Sequence, residues 1–224
     1  VIINIFVASV FGALGLISML LALKEGSLTQ LGVFNLLIVF LVSSYLFFFE
    51  NIFLKNYTLA SICIIFGFTC YIFQIRKIER AKKKFSFRNF ILFTMMSFFF
   101  AVSSLMHWYN LKQEIPAILS VTFQEIVVFV VVLIIFKFQT SLSFHQVYPQ
   151  IQKIFKPVLF MAIVIFSAIW CGFLGLQYTN PLISSLISLI TPVLTIVFGV
   201  LFYKDQWNSI TIVSLFLISM GVYL

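Results

Sequence analysis

The chain alternates long apolar runs with short polar breaks. PLISSLISLITPVLTIVFGVLFY (181–203) carries no charge, and KDQ follows it. Runs of about 20 uncharged apolar residues are the pattern of membrane-spanning helices. Eight are predicted: 2–23, 28–49, 57–75, 89–109, 115–136, 157–178, 181–203 and 207–224. The breaks are KEGS, ENIFLKN, LKQE, YTN and KDQ. Pro116, Pro157 and Pro181 fall at expected helix starts, where a missing N–H costs nothing. Asn180 suits an N-cap. Two connections are longer. RKIERAKKKFSFR (76–88) is strongly basic. In 137–156, Phe144, Tyr148, Ile151 and Phe155 recur at helical intervals, which predicts a short interfacial helix interrupted at Pro149.

Composition narrows the class. Of 224 residues, 62% are hydrophobic and 9% charged, and 30 are Phe. A soluble domain has about a quarter of its residues charged, so the expected fold is an all-α polytopic membrane protein. A β-barrel is excluded, because its strands alternate apolar and polar in short segments. Cys63, Cys70 and Cys171 lie in apolar runs without CxxC spacing. They read as small buried residues, with no metal site.

The net charge of +8 reads as cytoplasmic loop charge, not nucleic-acid binding. Alternating the spans puts Lys24, the seven basic residues of 76–88, Lys137, Lys153, Lys156 and Lys204 on one side. Only Lys55 and Lys112 fall on the other, a bias of twelve to two. This places the 76–88 loop in the cytoplasm and both ends of the sequence outside.

The halves echo each other. Residues 22–73 and 175–224 each hold a span ending in an aromatic run and an acid, FFFE and FYKD. Each then has a bend and a span with a late glycine, Gly67 and Gly221. Glu50 and Asp205 correspond. Three spans precede the basic linker and five follow it. The expected organisation is a first repeat over 1–75, a linker over 76–88 and a second repeat over 89–224. With a five-span unit, two spans would be missing from the front, as the absent initiator Met suggests. An odd unit inverts its second copy, the architecture of secondary transporters.

The stretch GLQYTNPLISSLISLITPVLTIVFGVLFYKDQWNSITIVSLFLISMGVYL (175–224) resembles the end of an EamA repeat of the drug/metabolite transporter superfamily. The features are Tyr178, the run Ser184, Ser185 and Ser188, then Pro192, Leu201-Phe202 with Asp205, and Gly221-Val222. The resemblance is motif-like over this segment, fainter over 22–73, and follows span order elsewhere. It departs in two places. Val39 or a neighbour stands where the first repeat would match Pro192. Family members usually have ten spans and cytoplasmic termini, whereas the charge bias puts both ends of this chain outside. The resemblance implies transport of a small organic metabolite, such as an amino acid, and no enzymatic activity.

Candidate site residues follow from what a bilayer penalises. Glu125 is the only charge well inside a predicted span. Intramembrane carboxylates mark proton relays or substrate contacts, although a Glu can also hydrogen-bond a neighbouring helix. Pro192 leaves the Ser188 carbonyl without its helical donor. That suits a hinge beside a central cavity, or a packing kink. Asn35 in mid-span could line a site or join helices. Ser167 and Trp170, near Gly172 and Gly175, could face a cavity or serve close helix packing. His107, Trp108 and Tyr109 end a span and read as interfacial anchors. SVFGALG (9–15) reads as a helix contact face.

There is no Walker loop, HExxH, nucleophile elbow or Cys/His ligand cluster. No cofactor is expected beyond possible proton coupling through Glu125. The expected partners are the lipid bilayer, in the plasma or inner membrane, and a small-molecule substrate. The rival reading is a membrane-embedded enzyme or a non-transporting assembly subunit. An enzyme would need at least two polar groups converging on one site. A packing subunit would tolerate Glu125→Gln.

Overall fold

A computed structural model describes residues 2–50, 87–139, 144–178, 190–204 and 209–223, with scattered positions between 59 and 73. Seven helices are described end to end. They are α1 (Ile2–Leu23), α2 (Leu28–Phe49), α3 (Phe87–Lys112), α4 (Ala117–Gln139), α5 (Phe144–Tyr178), α6 (Ile190–Tyr203) and α7 (Ser209–Tyr223). Every described residue between 59 and 73 is helical too. Among the described residues, five stretches are long and apolar enough to cross a membrane: Ile2–Leu23, Gln30–Phe49, Phe87–Lys112, Ala117–Ile135 and Phe155–Tyr178. The protein is an all-helical, polytopic membrane protein. Most of the 76–88 linker, the Asn180–Pro181 cap, the Ser184–Ser188 run and Asp205 lie outside the described residues.

Local chemistry fixes several helix ends. The Ser27 hydroxyl accepts from the Gln30 N–H at 3.2 Å, and the Gln30 side chain accepts from the Ser27 N–H at 3.1 Å. This capping box satisfies two orphan donors at the start of α2. Pro116 sits one residue before α4. Its carbonyl accepts from the N–H groups of Leu119 and Ser120 at 3.0 and 3.2 Å. It therefore occupies the cap position, next to the expected first-turn one. Glu114, with φ 61°, turns the chain between α3 and α4.

Helix α5 corrects the reading of two prolines. It is one helix of 35 residues that passes through both Pro149 and Pro157. Pro157 does not start it and Pro149 does not break it. The helical spacing of Phe144, Tyr148, Ile151 and Phe155 runs in phase into the span, so one helix serves both segments. The carbonyls that lose donors are those of His145 and Lys153. Both precede the apolar stretch that begins at Phe155, at a level where water can satisfy them.

The described chain divides into two compact units. One comprises Val1–Ala13 with Ser103–Pro181, and the other Leu14–Val102 with Leu182–Leu224. In the second unit, α2 packs on α6 and α7. Ala22, Leu31, Phe34, Phe93 and Met96 form its buried cluster. Phe34 stacks on Phe93 at 5.2 Å and meets the edge of Phe90 at 5.6 Å. Ser97 donates to the Phe34 carbonyl at 2.8 Å, tying α3 to α2. A Cβ on Gly15 would lie 2.8 Å from the Phe100 ring. In the first unit, α4 packs on α5, and Ser103 of α3 donates to the Ala8 carbonyl of α1 at 2.8 Å.

Candidate functional site

The first unit gathers buried polar side chains on one face of α3. Ser103, His107 and Asn110 recur at i, i+4 and i+7, so they share that face. His107 is 1% exposed and Asn110 is fully buried. Neither imidazole nitrogen and neither Asn110 amide atom has a hydrogen-bond partner among the described residues. The Phe173 ring of α5 lies against His107, with centroids 4.8 Å apart and planes tilted by 48°. On α4, Ser120 is also fully buried, and its hydroxyl likewise has no partner among the described residues.

Gly12 on α1 locates where these helices meet. A Cβ there would lie 3.2 Å from the Ser103 hydroxyl and 4.0 Å from the Gln124 side-chain carbon Cδ. The absent side chain thus admits Ser103 from α3 and Gln124 from α4 to the same spot. Of the small-residue face expected over 9–15, Ser9, Gly12 and Ala13 are buried in this unit, and Gly15 is buried in the second. Ser9 donates to the Ile5 carbonyl of its own helix at 2.7 Å.

This arrangement corrects the interfacial reading of His107. Trp108 beside it is buried as well, at 5% exposure, and Tyr109 is half-buried. Lys112 places its ammonium 3.6 Å from the Trp108 ring centroid and 5.6 Å from that of Tyr109. His107 points elsewhere because one helix step turns it about 100° from Trp108. The periodic signal existed in the sequence: Ser103, His107 and Asn110 are polar at helical spacing in an apolar span.

The residues singled out from sequence are dispersed. Glu125 lies on α4, half-buried, with no hydrogen bond or ion pair among the described residues. It follows Gln124 but projects about 100° away around the helix. Ser167 and Trp170 lie one turn apart on α5 and are both exposed, Trp170 by 39%. None of the most apolar part of that helix is buried. At Gly172 and Gly175 an added Cβ would meet nothing within 4 Å. Asn35 and Pro192 belong to the second unit. Asn35 is half-buried on α2, between the buried Phe34 and Leu36. Pro192 is the third residue of α6 as described, and residues 179–189 before it lie outside the described residues. No group of three metal-ligating side chains occurs among the described residues.

Chemically, the first unit presents amide, imidazole and hydroxyl groups inside an apolar bundle. Burying such groups without partners is costly, and in membrane proteins such groups mark substrate or ion pathways. Comparison with curated proteins finds no significant match. A family model does match: that of the EamA-like transporter family, over residues 85–224. The match covers more than half of the chain and takes in α3 to α7, the buried polar face included. The chain therefore belongs to the EamA-like transporter family, within the drug/metabolite transporters, and is a multi-pass membrane protein of a transporter class.

Proposed function

We propose that the protein is a secondary transporter that carries small organic metabolites, amino-acid-like solutes among them, by alternating access in the plasma or inner membrane. The observation that carries this reading is the buried polar face of Ser103, His107 and Asn110 inside a family-matched, membrane-length helix. A packing subunit gains nothing from His107 and Asn110, whose polar atoms have no partner among the described residues, because each costs desolvation. A transport path uses them, because a solute can take up their hydrogen bonds. The two inverted halves would rock about a site near the midplane, reached from the outer end of α3 past its buried polar face, with Pro192 as hinge and Glu125, Asn35, Ser167 and Trp170 contacting solute or proton in the course of the cycle. Glu125 would exchange a proton or a cation in alternation.

The enzyme reading gains little from the same cluster. A nucleophile needs a base within hydrogen-bonding reach, and Ser120 and His107 make no hydrogen bond to each other.

The test is flux. The full-length protein is reconstituted in proteoliposomes and screened with labelled amino acids and related metabolites, with and without a pH gradient. Gradient-stimulated flux that Glu125→Gln abolishes is the expected result. Flux that persists in the mutant removes Glu125 from the mechanism and keeps the transporter. A folded protein that moves no solute overturns the reading.

A further inference from the structure

We propose that His107, Asn110 and Ser120 form one buried site that takes an uncharged hydrogen-bonding group, an amide or an alcohol, of the transported solute. The proposal rests on the transporter reading and gives that reading a ligand class.

The register of two helices brings the three residues together. Helices α3 and α4 are joined by a tight turn, in which Gln113 and Glu114 donate to the carbonyls of Asn110 and Leu111 at 3.1 Å each. Helices joined so shortly run antiparallel side by side. Ser103 and Gln124 stand at one level, because both approach Gly12. Four residues toward the turn on α3 reach His107. Four residues toward the turn on α4 reach Ser120. Antiparallel register therefore sets His107 across from Ser120. One further turn sets Asn110 across from the buried Ala117. Phe173 of α5 supplies an apolar wall against His107.

The chemistry of the patch selects its ligand. A neutral imidazole, an amide and a hydroxyl can each both donate and accept. All of their side-chain nitrogen and oxygen atoms lack partners among the described residues, so a ligand group could be met on several sides. The nearby charges are directed elsewhere. The Lys112 ammonium lies over Trp108, and Glu114 is exposed at the turn. Glu125, five residues beyond Ser120, lies about 140° around α4 from it. A carboxylate or phosphate would find no cation among the described residues at this site, and desolvating one would be expensive. A neutral amide or alcohol avoids that penalty and satisfies the buried groups.

The test uses purified full-length protein in detergent, with thermal unfolding as readout. The probes are acetamide, nicotinamide and propane-1,3-diol, with acetate and nicotinate as charged counterparts of similar shape. At least one uncharged probe should raise the melting temperature by about 3–6 °C at tenfold excess over its Kd. The charged counterparts should not. In Asn110→Leu and in Ser120→Ala, that probe should bind roughly tenfold more weakly. Each variant should itself melt no lower than wild type, because a buried unpaired group has been removed. The wild-type comparison requires no variant to fold. Absence of a shift with every uncharged probe overturns the site, as does an equal shift with the anions or full retention in both variants. Failure here is separable from failure of the transporter reading. Solute flux unchanged in both variants overturns the site alone. Probe binding that the variants weaken, in a protein that moves no solute, keeps the site and overturns the transport assignment.

Discussion

Two glycines with the same freedom in sequence have opposite surroundings. At Gly15 an added Cβ would fall 2.8 Å from the Phe100 ring, closer than real carbons approach. At Gly172 it would meet nothing within 4 Å. Gly15→Ala is expected to destabilise the protein by about 1–3 kcal/mol, the usual range for overpacking. Gly172→Ala should be neutral or stabilise by up to about 1 kcal/mol, since it only improves helix propensity in open space. Thermal unfolding of the two variants side by side checks the pair. Equal effects would show that the Gly15 contact yields at no cost. The small-residue stripe at 9–15 was legible because glycine and serine in an apolar helix mark close approach. Gly172 gave the same signal, yet an added Cβ there would meet nothing within 4 Å, because composition records what a helix permits and not what faces it. His107 departs from expectation for a related reason. Its neighbours Trp108 and Tyr109 suggested an interface, whereas helical phase joins it to Ser103 and Asn110.

At the scale of elements, hydropathy gave α1 and α2 to the residue, because polar KEGS and a capping box bound a long apolar run. Proline misled at α5. A proline next to a span is compatible with a helix start, but also with a helix that passes through it near water. The two cases predict different responses to substitution. A first-turn proline contributes little, so its replacement is nearly neutral. An interior proline costs the helix a hydrogen bond and a clash, on the order of 3 kcal/mol before the surroundings adapt. With Pro157 inside the 35-residue α5, Pro157→Ala is expected to raise stability by about 1–2 kcal/mol, allowing for that adaptation. A stability unchanged or lowered in thermal unfolding would argue that the helix begins near Pro157. The start of α2 offers a simpler check. Ser27→Ala removes the acceptor for the Gln30 N–H and should cost about 1 kcal/mol. Ser27→Asn, which can still accept, should recover most of it.

For the whole molecule, the decisive quantity is which side of the membrane each turn faces. The twelve-to-two division of Lys and Arg puts the α3–α4 turn outside and the α4–α5 connection in the cytoplasm. Both can be probed at exposed positions, Gln113 in the turn and Gln152 near the start of α5. With Cys63, Cys70 and Cys171 changed to Ser, Gln113→Cys should react with a membrane-impermeant maleimide in intact cells. Gln152→Cys should react only after permeabilisation. The reverse pattern would invert the orientation and show that loop charge does not govern this chain. The result also sets the depth of the buried polar face. His107 lies five residues before the end of α3, about 7.5 Å along the helix from Lys112. The expected orientation therefore places His107 and Ser120 within two turns of the outer surface. Opening α3 from α4 at their turn would expose them outward. Labelling of Ser120→Cys from outside should then be much slower than that of Gln113→Cys, because Ser120 is fully buried. It should also rise under conditions that drive transport. Labelling only from the cytoplasmic side would place the access route at the opposite end of the helix pair.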